Sequence, residues 1–242
     1  MTIVLRRLIA RGRRLFVWTL HKPAVLILFG PPGSGKGTIA KEAAPLLGLG
    51  HLSTGEAFRR EIGQNPTLAK FLASGALAPD HLTNSLVCRQ LCHKQFDRGC
   101  FLDGYPRNLE QIRALEKLLS RSHTQVTRVL FLDVPPSEII ERLTNRRICT
   151  DCGRSYNQIF LKPLVENVCD VCHGALYQRP DDVKEVIEER LRVYEDETKP
   201  LLAYFQERGL LFRIASGSPQ QVLHQMMQEL HLKMPAISGR KE

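Results

Sequence analysis

The chain has 242 residues, enough to bury the core of one domain of ordinary size or of one with small insertions. It is 43% apolar and 24% charged, a soluble globular composition, and no apolar run approaches the roughly 18 to 20 residues that cross a bilayer. Six of the nine net positive charges come from Arg6, Arg7, Arg11, Arg13, Arg14 and Lys22, so the other 220 residues carry only +3 and a broad basic face for nucleic acid is excluded.

Residues 1–22 mix these cations with Leu, Ile, Phe and Trp and contain no acid. The readings left open are an organelle-targeting peptide, a membrane-surface helix, and a disordered extension or misassigned start codon. A small-residue cleavage site of the secretory type is not seen there.

Apolar, often β-branched runs then recur at Val25–Phe29, His51–Leu52, Phe101–Leu102, Val129–Leu132 and Leu211–Ile214, with helical periodicity between them. Strands alternating with helices predict a parallel sheet covered on both faces, with any ligand along the edge where the strands end. The strongest helix is predicted from Asp181 to Gly209. Val183, Val186, Ile187, Leu191 and Tyr194 form its stripe, Pro200 kinks or restarts it, and Gly209 stops it. Asp181 and Asp182 suit its N-terminal dipole. The tail from Met234 onward is expected to fray.

The first run leads into Gly30-Pro-Pro-Gly33-Ser34-Gly35-Lys36-Gly37-Thr38, which fits GxxxxGK. Glycines there let successive N–H groups converge on phosphate oxygens, and Lys36 adds a point charge. Gly37 stands where such loops usually place the Ser or Thr that ligates magnesium. The metal then needs an acid from a neighbouring strand, and Asp103, ending "CFLD", is the candidate.

Phosphoryl transfer needs cations more than a strong base, because charge spreads over the equatorial oxygens. The candidates are Lys36, Arg59, Arg107, Arg142, Arg146, Arg179 and Arg190. Arg142 and Arg146 lie four apart on one helix face. Arg190 falls within an apolar stripe, where it must meet either a bound anion or an internal carboxylate.

Cys149-x2-Cys152-x16-Cys169-x2-Cys172 has the spacing of a structural tetrathiolate zinc site. His173 is an unnecessary alternative ligand. Cys88 and Cys92 read as buried thiols with His93 at the surface, and Cys100 reads as core.

Four segments together, "GPPGSGKGT", "LSTGEAFR" at 52–59, "DGYPR" at 103–107 and "RPDD" at 179–182, resemble adenylate kinase over about residues 23 to 234. The resemblance implies a P-loop three-layer α/β/α fold with a five-stranded parallel sheet, a helical AMP-binding insert and a zinc-clipped lid insert. It divides the chain into a basic extension (1–22), a core (23–52, 83–145 and 183–234), an AMP-binding part (53–82), a lid (146–182) and a tail (235–242). The implied reaction passes the γ-phosphoryl of MgATP to AMP. Rival readings are a UMP/CMP or GTP-using relative and, from another class, a zinc-ribbon nucleic-acid binder.

The same resemblance implies roles. Gly33, Ser34, Gly35, Lys36, Gly37 and Thr38 would wrap the ATP phosphates, with Arg142, Arg146, Ser155, Tyr156 and Ser218 on ATP from other sides. Thr54, Arg59, Leu77, Ala78, Gly104, Tyr105, Pro106, Arg107 and Gln111 match the AMP pocket, with Arg179 and Arg190 reaching AMP and the moving phosphoryl group. Lys36, Arg107, Arg146, Arg179 and Arg190 would carry catalysis, and the Gln111 amide would pair with adenine. ATP, AMP and ADP are the expected partners, with structural zinc, magnesium through water at Asp103, a monomeric state and no nucleic acid or stable membrane contact. The cysteine lid is the bacterial-looking version, which implies cytoplasm, or mitochondrion if residues 1–22 are a targeting peptide.

Overall fold

The computed structural model describes residues 3–10, 13–20, 23–61, 70–71 and 73–230. Expectations for 62–69 of the AMP-binding part, and for the tail after Met234, lie outside the described residues.

Strands β1 (Ile3–Ala10) and β2 (Arg13–Leu20) pair antiparallel, with Ile3 opposite Leu20 and Ala10 opposite Arg13. The surface helix considered for this stretch is therefore replaced by a strand pair.

The body is built on β3 (Ala24–Phe29), β4 (Gly50–Ser53), β5 (Gly99–Asp103), β6 (Val126–Asp133) and β10 (Leu211–Ala215). They form one five-stranded parallel sheet in the order β10-β6-β3-β5-β4, matching the five apolar runs. All six residues of β3 are buried, as a central parallel strand requires.

Because side chains alternate along a strand, β3 feeds two cores. Ala24, Leu26 and Leu28 meet α1 (Lys36–Leu47) and α8 (Pro219–Glu229) through Ile39, Ala43, Leu223 and Met226. Val25, Ile27 and Phe29 meet α3 (Asp80–Leu91), α4 (Leu109–Arg121) and α7 (Leu201–Glu207) through Leu86, Leu115 and Phe205. Each such side chain contributes about 1.5–3 kcal/mol, so this alternation fixes the three layers.

The predicted long helix is shorter and broken. Helix α6 runs Lys184–Val193, Tyr194–Thr198 is a π turn, and α7 restarts after Pro200. Val183 is 45% exposed, so Ile187 and Tyr194 carry the buried part of the stripe. Asp181 and Asp182 precede the helix and are buried, so they are not dipole partners on its surface.

Helix α5 (Pro136–Thr144) carries Arg142 but ends before Arg146, so the two do not share a helix face; it leads into a three-stranded antiparallel sheet, β7 (Arg146–Cys149), β8 (Ser155–Asn157) and β9 (Leu176–Tyr177), in the order β8-β7-β9. Its buried cluster holds only Cys149, Tyr156 and Cys169, with Leu176 against them. So small an apolar core needs a further cross-link.

Candidate active site

Strands β3, β4, β5, β6 and β10 all end on one edge, and a cavity of about 920 Å³ opens there. The turn from β3 to α1 forms its floor. Gly30, Gly33 and Gly35 have φ of 142°, 81° and 95°. A Cβ on Gly33 would also lie 2.7 Å from Leu143 Cγ, so both backbone and space demand glycine.

Lys36 Nζ donates to Gly30 O at 2.8 Å, Pro31 O at 2.7 Å and Ser34 Oγ at 3.3 Å, curling over the loop. Burial pulls its pKa down to about 8; Asp103 opposes this, and Arg107, Arg190 and Arg146 add to it.

The cations nominated from sequence converge. Arg59 from helix α2 (Thr54–Glu61), Arg107, Arg142, Arg146, Arg179 and Arg190 all line this cavity with Lys36. Arg146 Nε and Nη2 grip Asp182 Oδ2 and Oδ1 at 2.7 and 2.5 Å. Arg190 reaches Asp181 at 3.2 Å and Asp182 at 3.4 Å, and Arg59 lies 3.7 Å from Asp181. Arg190 thus has internal carboxylate partners, one of the two kinds considered for it.

The balance is still positive. Four guanidinium groups, those of Arg59, Arg146, Arg179 and Arg190, surround two carboxylates, and Arg179 Nε is buried without a hydrogen-bond partner among the described residues. Burial, then Arg146 and Arg59, bring the Arg179 pKa down to about 10. Burial followed by Arg146 does the same for Arg190, against Asp181 and Asp182. Burial works to raise Asp181, yet Arg190, Arg59, Arg146 and Arg179 hold it below the usual carboxylate range. A desolvated excess of cations is a site for polyanions.

A recess of about 40 Å³ continues from the cavity, lined by Thr54, Leu77, Ala78, Gly104, Arg107 and Gln111. Thr54 Oγ1 donates to Gly104 O at 2.9 Å, and Arg107 Nε to the same oxygen at 2.9 Å. Gln111 is 1% exposed; its Oε1 accepts from Arg107 N at 2.8 Å and its Nε2 donates to Asp80 Oδ1 at 2.7 Å. Tyr105 and Pro106 line the main cavity.

On the opposite side, Arg142 pairs with Glu138, which also accepts from Ser216 Oγ at 3.0 Å. Ser155 and Ser218 line the cavity, and the Ser218 side chain is spent on capping α8 through Gln221 N. Tyr156 lines it too, but its hydroxyl turns to the cysteines, 3.3 Å from Cys169 Sγ and 2.8 Å from Asp170 N.

Asp103 Oδ2 lies 3.4 Å from where a Cβ on Gly37 would be and 3.5 Å from His51 Nε2. Burial works to raise its pKa, but His51, Lys36 and Arg107 keep it low, so an anionic oxygen faces the loop.

The four cysteines offer sulfur atoms that all lie within 4.8 Å of one another, with Cys149–Cys172 at 3.3 Å and Cys152–Cys169 at 3.6 Å. A tetrahedron with bonds of about 2.3 Å has edges of about 3.8 Å, so these residues fit a zinc-sized ion. Each CxxC ends in a left-handed residue, Gly153 at φ 67° and His173 at φ 61°, which folds backbone around the sulfurs. His173 is used as backbone and is not in the ligand group. Cys88 and Cys92, expected to be buried, are exposed, while Cys100 is buried in β5.

The sequence reading missed the acids. Asp181, Asp182, Glu138 and Asp80 each fix a cation or amide that was nominated. Asp181 and Asp182 stood inside "RPDD" and were read only as dipole partners, while Asp80 and Glu138 carried no signal in the sequence reading.

A family model for adenylate kinase matches residues 28–210. The chain belongs to the adenylate kinase family. The adenylate kinase of Thermosipho melanesiensis is 41% identical over 193 residues, 78% of this chain and 90% of that protein. That of Desulfitobacterium hafniense is 40% identical over 208 residues, 84% and 94% of the two chains, and that of Clostridium novyi is 41% identical over 191 residues, 77% and 88%. As an adenylate kinase, the protein is a phosphotransferase whose substrates are ATP, AMP and ADP. The rival acceptor and nucleic-acid readings gain nothing from these relatives.

Proposed function

We propose that the cavity holds ATP and AMP end to end and that the γ-phosphoryl passes between them in line. The supporting observation is the convergence of Lys36 and six arginines, from separate elements, on one cavity beside the glycine turn. Gly33 to Thr38 bind the ATP phosphates through backbone N–H groups, with Lys36 swinging from Gly30 O and Pro31 O to the terminal oxygens. Arg142 and Ser218 flank the donor base, with Arg146, Ser155 and Tyr156 along the same nucleotide.

Arg59, Arg107 and Thr54 take the AMP side, with Leu77, Ala78 and the Gly104-to-Arg107 turn against the nucleoside and Gln111 on the base. Arg146, Arg179 and Arg190 bind the oxygens of the moving group more tightly as charge spreads over them. They are released to do so because phosphate competes with Asp181 and Asp182. Magnesium, when bound, would neutralise phosphate charge, and Asp103 would hold it through water.

Zinc on Cys149, Cys152, Cys169 and Cys172 supplies the lid with the folding energy its small core lacks. The domain division follows: a core of 23–52, 83–145 and 183–234, an AMP-binding part at 53–82, and a lid at 146–182 that closes to exclude water as a competing acceptor. The protein works as a cytoplasmic monomer. No helix among the described residues is long and apolar enough to cross a membrane.

The test is a turnover screen of purified protein across donor–acceptor pairs, with zinc measured on the same sample. ATP with AMP should lead, at one zinc per chain. Lys36→Ala and Arg107→Ala should each lose about 10²-fold or more in kcat/KM; wild-type turnover in either would refute the assignment.

A further inference from the structure

The Gln111 side chain has two N–H donors and an oxygen that accepts twice. One donor is spent on Asp80 Oδ1 at 2.7 Å, and one lone pair on the Arg107 N–H at 2.8 Å. A donor and an acceptor remain side by side, beside the recess that Gln111 lines. The 6-amino purine edge offers the matching pair, an N6–H donor next to the N1 acceptor. A 6-oxopurine offers the reverse, an O6 acceptor next to N1–H, and would need the amide turned over.

Turning it over is what the surroundings forbid. The flipped oxygen would face the Asp80 carboxylate, which only accepts, and the flipped NH2 would face the Arg107 N–H, which only donates. Gln111 is 1% exposed, which leaves little room for water to relieve either clash. Asp80 is itself fixed: Asn108 Nδ2 donates to both its oxygens, at 3.0 and 3.1 Å. Asn108 is fixed in turn, because its Oδ1 accepts the Gln111 backbone N–H at 2.9 Å as the cap of α4. Asp80 opens α3, where the helix dipole favours its charge.

We infer that Asp80 is a positioning residue for acceptor specificity: it locks the Gln111 amide in the orientation that reads a 6-amino purine and rejects a 6-oxo one. The inference rests on the proposed placement of AMP at Gln111. Its specific content is that the discrimination is imposed by a carboxylate that does not touch the nucleotide.

The experiment compares kcat/KM for AMP and IMP, at saturating ATP, in the wild type and variants. IMP differs from AMP at the 6-position edge and adds no bulk. Asp80→Asn is nearly isosteric, and its side chain can present either oxygen or NH2 to Gln111. The AMP:IMP ratio should fall about tenfold, mostly through the acceptor KM, while the ATP KM stays put. Asn108→Ser keeps an N-cap on α4 but removes both hydrogen bonds that fix Asp80, and should lower the ratio in the same direction. It decides the matter if the single variant folds poorly. An unchanged ratio, or equal losses with both substrates, overturns the role of Asp80. Gln111→Ala separates the two levels: if it leaves both the AMP KM and the ratio at wild-type values, the placement of AMP itself is wrong.

Discussion

Arg146 and Asp182 form a two-pronged ion pair at 2.7 and 2.5 Å, with the Asp182 side chain 0% exposed and the Arg146 side chain 17% exposed. The pair joins the first strand of the lid sheet to the turn that leaves the lid, so it closes the insert at its base. It also keeps one cation of the site from facing its neighbours without a counter-charge.

Removing the acid alone should be costly. Asp182→Asn leaves Arg146 and Arg190 short of charge in a buried setting, and unfolding stability should fall by about 3 kcal/mol. A urea titration measures this. Adding a bisubstrate dinucleotide polyphosphate should recover part of the loss, because its phosphates replace the missing anion.

Lys36 gives a pH signature. Its folded pKa of about 8 lies below the ordinary 10.5, so between these values the folded chain has released a proton that the unfolded chain retains. Its contribution to stability therefore rises with pH across that window, while affinity for phosphate falls. ATP binding to the free enzyme near pH 9 should take up close to one proton, seen as a buffer-dependent heat in calorimetry. Lys36→Arg should remove that uptake.

Chelation should separate the lid from the core. With the metal stripped, hydrogen exchange should accelerate across 146–182 and leave the β3, β5 and β6 amides protected. Turnover should drop steeply while AMP binding persists. Full turnover after complete demetallation would sink the lid's proposed role.

Lys41 links three elements. From α1 its Nζ donates to Gly153 O in the first cysteine knuckle at 3.0 Å and pairs with Glu56 of α2 at 2.8 Å. Both side chains of that pair are partly exposed, so the effect is modest. Lys41→Met should raise the ATP KM about three- to tenfold with little change in Tm, read from initial rates and thermal melts.

Much of the fold was legible because its causes are local. A β-branched run followed by a glycine turn and a lysine can scarcely be other than a strand feeding a phosphate loop, and the five runs gave the five strands. The cysteine group was legible because metal ligands impose spacing along the chain. Less visible was the state of each cation. Arg190 had two possible partners by sequence, and only the turn at 179–182 shows that Asp181 and Asp182 are carried under it. Cys88 and Cys92 were assigned inside because thiols usually are, but Cys88 on α3 and Cys92 just after it are exposed.

The sequence by itself determined the five strands of the parallel sheet, the phosphate loop, the cysteine group and the membership in a kinase family, since periodicity, glycine placement and motif spacing are properties of adjacent residues. The tertiary structure alone decided which carboxylate restrains which guanidinium, and which way the Gln111 amide faces. Those depend on groups about 30 residues apart in the chain, Asp80 with Gln111 and Arg146 with Asp182. No local pattern specifies such a meeting; it is set by how strands and helices pack.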